Sequence, residues 1–294
     1  MAGSGRDRDG LLSSYSAANL SQSTPASASD SLDIFLEPSG SAPGSFQGDG
    51  LLSSGDGNGA ISDVDFGFFR PEFRQSQLAG TVQFYERHVF LCYKNPRVWP
   101  PRIEAAEFDR LPRLLSAAVA ARKADMKKEE FPLNLHKLKF SICLYPTNVI
   151  TLLVSLFLRI LSNKRLTHFD VDTFVEEVLV KESEWLPGNP ETLSGSYIFV
   201  CSHGSRDRRC GVCGPALVSR FREDIEMYGL HSKVSVSPCS HIGGHKYAGN
   251  VLVFGTNPGG SVSGHWYGYV SPEDVPELLE QHIGRVEIVD RLWR

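Results

Sequence analysis

The chain lacks most of the features that settle a protein's class directly. Only 6 of its 294 residues are cysteine, far too few for a disulfide-stapled secreted scaffold. No charge of one sign dominates. Thirty basic residues meet 34 acidic ones, for a net charge of −4 and an isoelectric point near 6.1. That leaves no whole-chain attraction to nucleic acid or an acidic membrane, and neither is expected as a partner. Long hydrophobic runs are also missing. The most apolar stretch, Thr147–Leu161, is unbroken only from Val149 to Leu158 before Arg159 stops it, well short of the ~20 residues a bilayer crossing needs. It reads as a buried element. The N-terminal MAGSGRDRDGLLSSYSAANL has no basic region followed by an apolar one, which excludes a secretory signal. Its Asp7 and Asp9, with Asp30 beyond, fit a transit peptide poorly. The expected setting is therefore cytoplasmic, with the nucleus second. Cysteines there are more often metal-binding or catalytic than paired.

What is present points to a folded core. Hydrophobic residues make up 41% and charged residues 22%, close to globular averages. The length suits one large or two small domains. Residues 1–60 are dominated by Ser, Gly, Asp and Ala without a lasting apolar period. Such a segment cannot offset its ordering entropy and is expected to be disordered. A short apolar patch at Leu32–Leu36 is its one candidate docking motif.

From about residue 80 one unit occurs twice. HVFLCY (His88–Tyr93) and YIFVCS (Tyr197–Ser202) are short apolar strands that reach Cys92 and Cys201. Each is followed by a loop and a helical pattern, and later by DVDTFVEEVL from Asp170 or SPEDVPELLEQ from Ser271. In the second copy the pattern predicts a helix over 215–228, with Pro215 in its first turn, Gly229 as its stop, and Leu217, Phe221, Ile225 and Tyr228 on one face. Val234–Ser237, Asn250–Gly255 and Gly264–Val270 read as strands, with a turn at Thr256–Gly260. Ser271, Pro272 and Asp274 read as a capped helix start, Gly284 as its end, and VEIVDRLW as a last strand. The order βαβββαβ implies an α/β layer with a mixed sheet, and the thioredoxin-like fold fits it. The expected architecture is two tandem thioredoxin-like domains, 80–190 and 191–294. The first is degenerate, and its residues 128–165 do not offer the loop and paired strands of the second.

The residues that carry chemistry fall in two loops of the second copy. CSHGSRDRRCGVCGP holds Cys201, His203, Cys210 and Cys213; PCSHIGGHKYAGN holds Cys239, His241 and His245. Both follow strands and are expected at one edge of the sheet. Thiolate and imidazole suit iron–sulfur, zinc or copper, and Gly243–Gly244 permit a tight loop between the two imidazoles. Three readings compete. Two Cys and two His could hold a [2Fe–2S] cluster, as in Rieske centres. Cys210-x2-Cys213 with His241-x3-His245 supplies zinc-type donors, although the spacer is too long for a finger. Cys210-Gly-Val-Cys213 at a helix start could be a thiol–disulfide pair, which leaves both His unexplained.

These two loops, with GHWYGYV and the ending DVPELLEQHIG…RLW, resemble the sucrase/ferredoxin-like family over about 80–127 and 166–294. The resemblance implies a C-terminal thioredoxin-like ferredoxin. Its cluster ligands would be two Cys spaced C-x8-C and both His of H-x3-H, here Cys201, Cys210, His241 and His245. It also implies an electron carrier with one [2Fe–2S] cluster and an unidentified redox protein as partner. The first domain, without a second loop Cys or a His pair, is expected to bind no cluster. No carboxylate pair of the glycosidase type stands out, and no substrate-converting site is expected. Imidazole ligation implies a reduction potential above that of an all-thiolate cluster.

The remaining candidates have plainer readings. Cys92 and Cys143 sit in apolar strands as buried thiols. Cys213 and Cys239 read as core residues, His203 as a solvated loop residue or a donor behind the site, and His265 as structural. Arg206, Arg208, Arg209 and Lys246 flank the loops and could dock an acidic partner.

Overall fold

The two apolar runs HVFLC and YIFVC form central strands of one sheet. In this computed structural model the described residues are 67–68, 73, 75, 77–85, 87–105, 110–126, 138–144, 151–156, 159–164, 166–185, 187, 191–256 and 262–294, with backbone only over 151–156 and 159–164. The expected disorder of 1–60, the Leu32–Leu36 patch and the turn at 257–260 lie outside them. In chain order the elements are β1 (Arg87–Cys92), α1 (Arg110–Ala121), β2 (Leu138–Cys143), β3 (Thr151–Leu156), β4 (Arg159–Lys164), α2 (Val171–Phe174, continued by a wider turn over Val175–Val180) and β5 (Glu191–Leu193). There follow β6 (Ser196–Cys201), α3 (Arg208–Met227), β7 (Val234–Cys239), β8 (Val251–Thr256), β9 (Val262–Tyr267) and α4, which runs through Pro272–Asp274, Val275–Glu277 and Leu278–Gly284.

Among the described residues the sheet has nine strands in the order β5-β4-β3-β1-β2-β7-β6-β8-β9. Apart from β5, each half has the order βαβββα and the same pairing. β1 runs parallel to β2 and antiparallel to β3, which pairs with β4. β6 runs parallel to β7 and antiparallel to β8, which pairs with β9. The halves meet where β2 and β7 pair antiparallel at Cys143 and Cys239. There the Ser240 N–H donates to the Ile142 carbonyl (2.7 Å), and the Ile142 N–H donates to Ser240 Oγ (3.0 Å).

Strand alternation sorts the core. Val89 and Leu91 of β1 pack against Leu115 of α1 and Phe174 of α2. Ile198 and Val200 of β6 pack against Leu217 and Phe221 of α3 and Leu278 of α4. The alternate residues Phe90, Tyr197, Phe199, Leu252 and Trp266 form a third cluster on the opposite face, common to both halves.

Three expectations are corrected. The helix expected from 215 begins at Arg208, because Asp207 caps it by accepting the Arg209 N–H at 3.0 Å; Pro215 lies inside it. The segment 128–165, expected to lack the paired strands of the second copy, supplies β2, β3 and β4, with β3 and the start of β4 falling within Thr147–Leu161. Among the described residues no helix is long and apolar enough to cross a membrane. VEIVDRLW forms no strand; it turns, and contributes one bridge from Trp293 to Tyr267.

Candidate metal centre

Parallel pairing of β6 with β7 sets Cys201 in register with Cys239, so the loops after both strands leave the same edge of the sheet. The first loop turns over at Ser202–Asp207 and enters α3, with Cys210 three residues past the cap. Two glycines let the helix start close on the strand end. A Cβ on Gly211 would stand 2.5 Å from Gly204 Cα, and one on Gly214 would stand 2.5 Å from the Cys201 carbonyl oxygen. The second loop turns at Gly243 and Gly244, whose φ of +92° and +70° suit glycine.

These turns bring three donors together. Cys201, Cys210 and His241 each offer a ligand atom, all within 4.8 Å of one another, with both sulfurs fully buried. Cys201 Sγ lies 4.0 Å from His241 Nδ1. The fourth expected residue, His245, sits on the exposed side of the same loop, its ring centroid 6.0 Å from that of His241. The two thiols form a tightly coupled pair. A hydrogen bond from Cys210, reinforced by His241, holds the Cys201 thiol below its ordinary value against the effect of burial. The same bond and burial push Cys210 up. One sulfur is thereby prepared as a thiolate, the form that ligates metals. Two soft sulfurs and two imidazoles fit zinc or a [2Fe–2S] cluster.

His203, which the sequence left between two roles, is buried. Its Nδ1 accepts the backbone N–H of His241 (3.1 Å) and its Nε2 bonds the Pro100 carbonyl (3.0 Å). The ring is thus a neutral strut that fixes His241 against the first half, and burial lowers its pKa. Ser205 Oγ adds a hydrogen bond to the Trp99 carbonyl (2.6 Å). Sequence held no sign of these partners, which lie about a hundred residues upstream. Also missed was Arg294, which donates to Asn250 Oδ1 (2.5 Å) while Asn250 Nδ2 donates to the Gly244 carbonyl (3.1 Å), bracing the His241–His245 loop.

Cys213 is fully buried on α3 outside the three-donor group, and Cys239 is buried with its thiol pushed up by burial and by Cys201. Cys92 and Cys143 are paired in register, their sulfurs 3.2 Å apart. With Cys239 and Cys201 they make one row of cysteines across the four central strands. His265 packs against His282 with ring centroids 4.9 Å apart. Arg206 lines a small cavity of about 110 Å³ beside His203 and His241.

Residues 78–294 match the model of the sucrase/ferredoxin-like family. The chain belongs to that family. A Meyerozyma guilliermondii member named "Altered inheritance of mitochondria protein 32" is 28% identical over 243 residues, covering 74% of this chain and 83% of its own length. The Saccharomyces cerevisiae "Actin patches distal protein 1" is 34% identical over 96 residues, 30% of this chain and 29% of its own. Among solved structures, a thioredoxin-like [2Fe–2S] ferredoxin from Aquifex aeolicus aligns at 27% identity and a TM-score of 0.28, over 34% of this chain and 97% of that one. The bounds of the family match, 78–294, take in 128–165, a stretch outside the resemblance read from the motifs. The mitochondrial name of several relatives overturns the cytoplasmic or nuclear setting expected from the N-terminus. That expectation rested on the composition of the N-terminal residues alone.

Proposed function

We propose that this sucrase/ferredoxin-like protein is an electron carrier with one [2Fe–2S] cluster, held by Cys201 and Cys210 on one iron and His241 and His245 on the other. The observation that carries the reading is the convergence of two buried sulfurs and the His241 ring within 4.8 Å. The second imidazole is supplied by the same glycine-hinged loop. When bound, the cluster would take up and release one electron at a potential raised by its imidazole ligands. The protein's own part is to bury the sulfurs, keep Cys201 ready as a thiolate and orient His241 through His203. His245 and Lys246 are exposed at this edge, which supports docking of a redox protein partner there. The relatives' names support a mitochondrial setting.

A four-coordinate zinc site is the second reading, because the same four donors satisfy it. Protein purified without oxygen decides between them. Visible absorption with about two irons per chain is the expected result, and His245→Cys should then keep the iron while altering the spectrum. A colourless protein with one zinc and no iron would replace the carrier with a structural module. With neither metal, the Cys210–Cys213 thiols become the reactive candidates.

A further inference from the structure

The row of cysteines across the four central strands contains sulfurs that the candidate metal centre does not use. Cys92 and Cys143 are the last residues of β1 and β2 and face each other in register. Their sulfurs stand 3.2 Å apart, and neither is in a disulfide. Residues in register on neighbouring strands have backbones about 4.8 Å apart, within the span a disulfide bridges but at its short end. A bond there needs little backbone movement, and its cramped geometry leaves it readily reduced. A buried thiol alone is inert; a second sulfur in contact can turn its first oxidation product into a bond. The two sulfurs differ in access. Cys143 is 0% exposed and lies at the seam, in register with Cys239, whereas Cys92 keeps 5% exposure at its strand end. Burial, then the hydrogen bond with Cys92, push the Cys143 thiol up. Cys92 is therefore the sulfur that meets a small oxidant first. The stretch such a bond would close runs from β1 through α1 to β2. It includes the Trp99 and Pro100 carbonyls that hold Ser205 and His203.

We propose that Cys92 and Cys143 form a reversible disulfide in the folded protein, a redox-sensitive clasp between β1 and β2, with hydrogen peroxide as the oxidant. The Cys92 thiol attacks one peroxide oxygen, which leaves a sulfenic acid on Cys92 and releases one water. The Cys143 sulfur then displaces that hydroxyl, which departs with the Cys143 proton as a second water, and the S–S bond forms. The two sulfurs give up two electrons in all, and these reduce the peroxide. A small dithiol restores both thiols by exchange. No step uses the metal centre, so the clasp stands whether iron, zinc or neither is bound there. Peptide mapping of the full chain tests it, because trypsin leaves these cysteines on separate peptides: Cys92 on 88–94, Cys143 on 140–159, Cys201 on 182–206 and Cys239 on 234–246. The folded protein is titrated with hydrogen peroxide while near-ultraviolet circular dichroism follows its packing. It is then unfolded in excess N-ethylmaleimide and digested. The expected product is peptide 88–94 linked to 140–159, gained before the dichroism changes and lost on treatment with dithiothreitol. Cys143→Ala should strand the sulfenic acid on Cys92, where dimedone labels it; the wild-type chain decides alone if that variant does not fold. The proposal is overturned if the linked pair is absent while packing is retained, if it appears only as packing is lost, or if Cys143 links to Cys239 instead. Folded Cys143→Ala that takes no dimedone at Cys92 overturns it as well.

Discussion

At the scale of single residues, burial has turned several imidazoles into neutral structural groups. His88 is fully buried and bonded to Tyr85 Oη and Ser141 Oγ. His282 Nδ1 lies 2.5 Å from the Tyr267 hydroxyl, and burial, aided by the His265 charge, holds it down to about 4. In the unfolded chain the same ring titrates near its ordinary value, ~6.5. Between those values the unfolded state takes up the proton first, so acid favours unfolding. The stability carried by neutral His282 is complete above about pH 6.5 and is lost as pH falls towards about 4, at ~1.4 kcal/mol per unit of separation. Melting curves should show the midpoint falling over that window, and His282→Gln should make the fall shallower. An unchanged slope in the variant would place the acid sensitivity in other groups. Residue chemistry was only partly legible in the sequence. The grouping of Cys201, Cys210 and His241 follows from two strands pairing in parallel, which the order of elements implied. The placement of His203 did not, because Pro100 comes from the other half of the sheet.

At the scale of elements, α3 does the most to build the candidate centre, and its start was misplaced by seven residues in the reading from Pro215. Proline in a first turn is a common signal, and Gly211 and Gly214 are weak helix formers, so the pattern set the helix start at Pro215 even though the Cys210–Cys213 reading placed that pair at a helix start. The cap at Asp207 and the packing of the helix onto β6 prevail over those propensities. Gly214 has a positive reason to lack a side chain. A Cβ there would stand 2.4 Å from Ser202 Oγ, 2.5 Å from the Cys201 carbonyl oxygen and 2.6 Å from Ser202 Cα. Two of those three atoms are backbone and cannot swing aside. Gly214→Ala should therefore destabilise the protein by about 1–3 kcal/mol through overpacking, despite alanine's better helix propensity. The helix start should also move away from the strand end, so Cys210 and Cys201 separate and metal retention falls. Urea unfolding together with metal content measures both. A stabilised Gly214→Ala variant, the outcome propensity alone predicts, would mean that the helix does not approach β6 this closely.

At the scale of the whole molecule, the two copies form one sheet, and what the sequence could not disclose is how they join. Strand patterns fix which residues face a core, but an antiparallel seam between β2 and β7 leaves no local mark beyond the side chains it accommodates. Those side chains explain the join in retrospect. Phe90 of β1 and Phe199 of β6 stack with centroids 3.9 Å apart and planes 10° apart, although β2 and β7 lie between their strands. The residues in register with them on those strands are Ser141 and Ser237, both small and buried, and the rings meet above them. The cluster holding this stack includes residues of β1, β2, β6, β7, β8 and β9, so a packing loss in one half is felt in the other. From this we expect the halves to unfold together. Calorimetry of the full chain should give one transition, and Phe90→Ala, costing about 3–5 kcal/mol, should lower it as a single transition. Hydrogen exchange supplies the finer test, since amides of one cooperative unit open together. In Phe90→Ala, protection should fall in β6 and β8 as well as in β1. Loss confined to β1 and its neighbours β2 and β3 would show two units that share a sheet without sharing a transition.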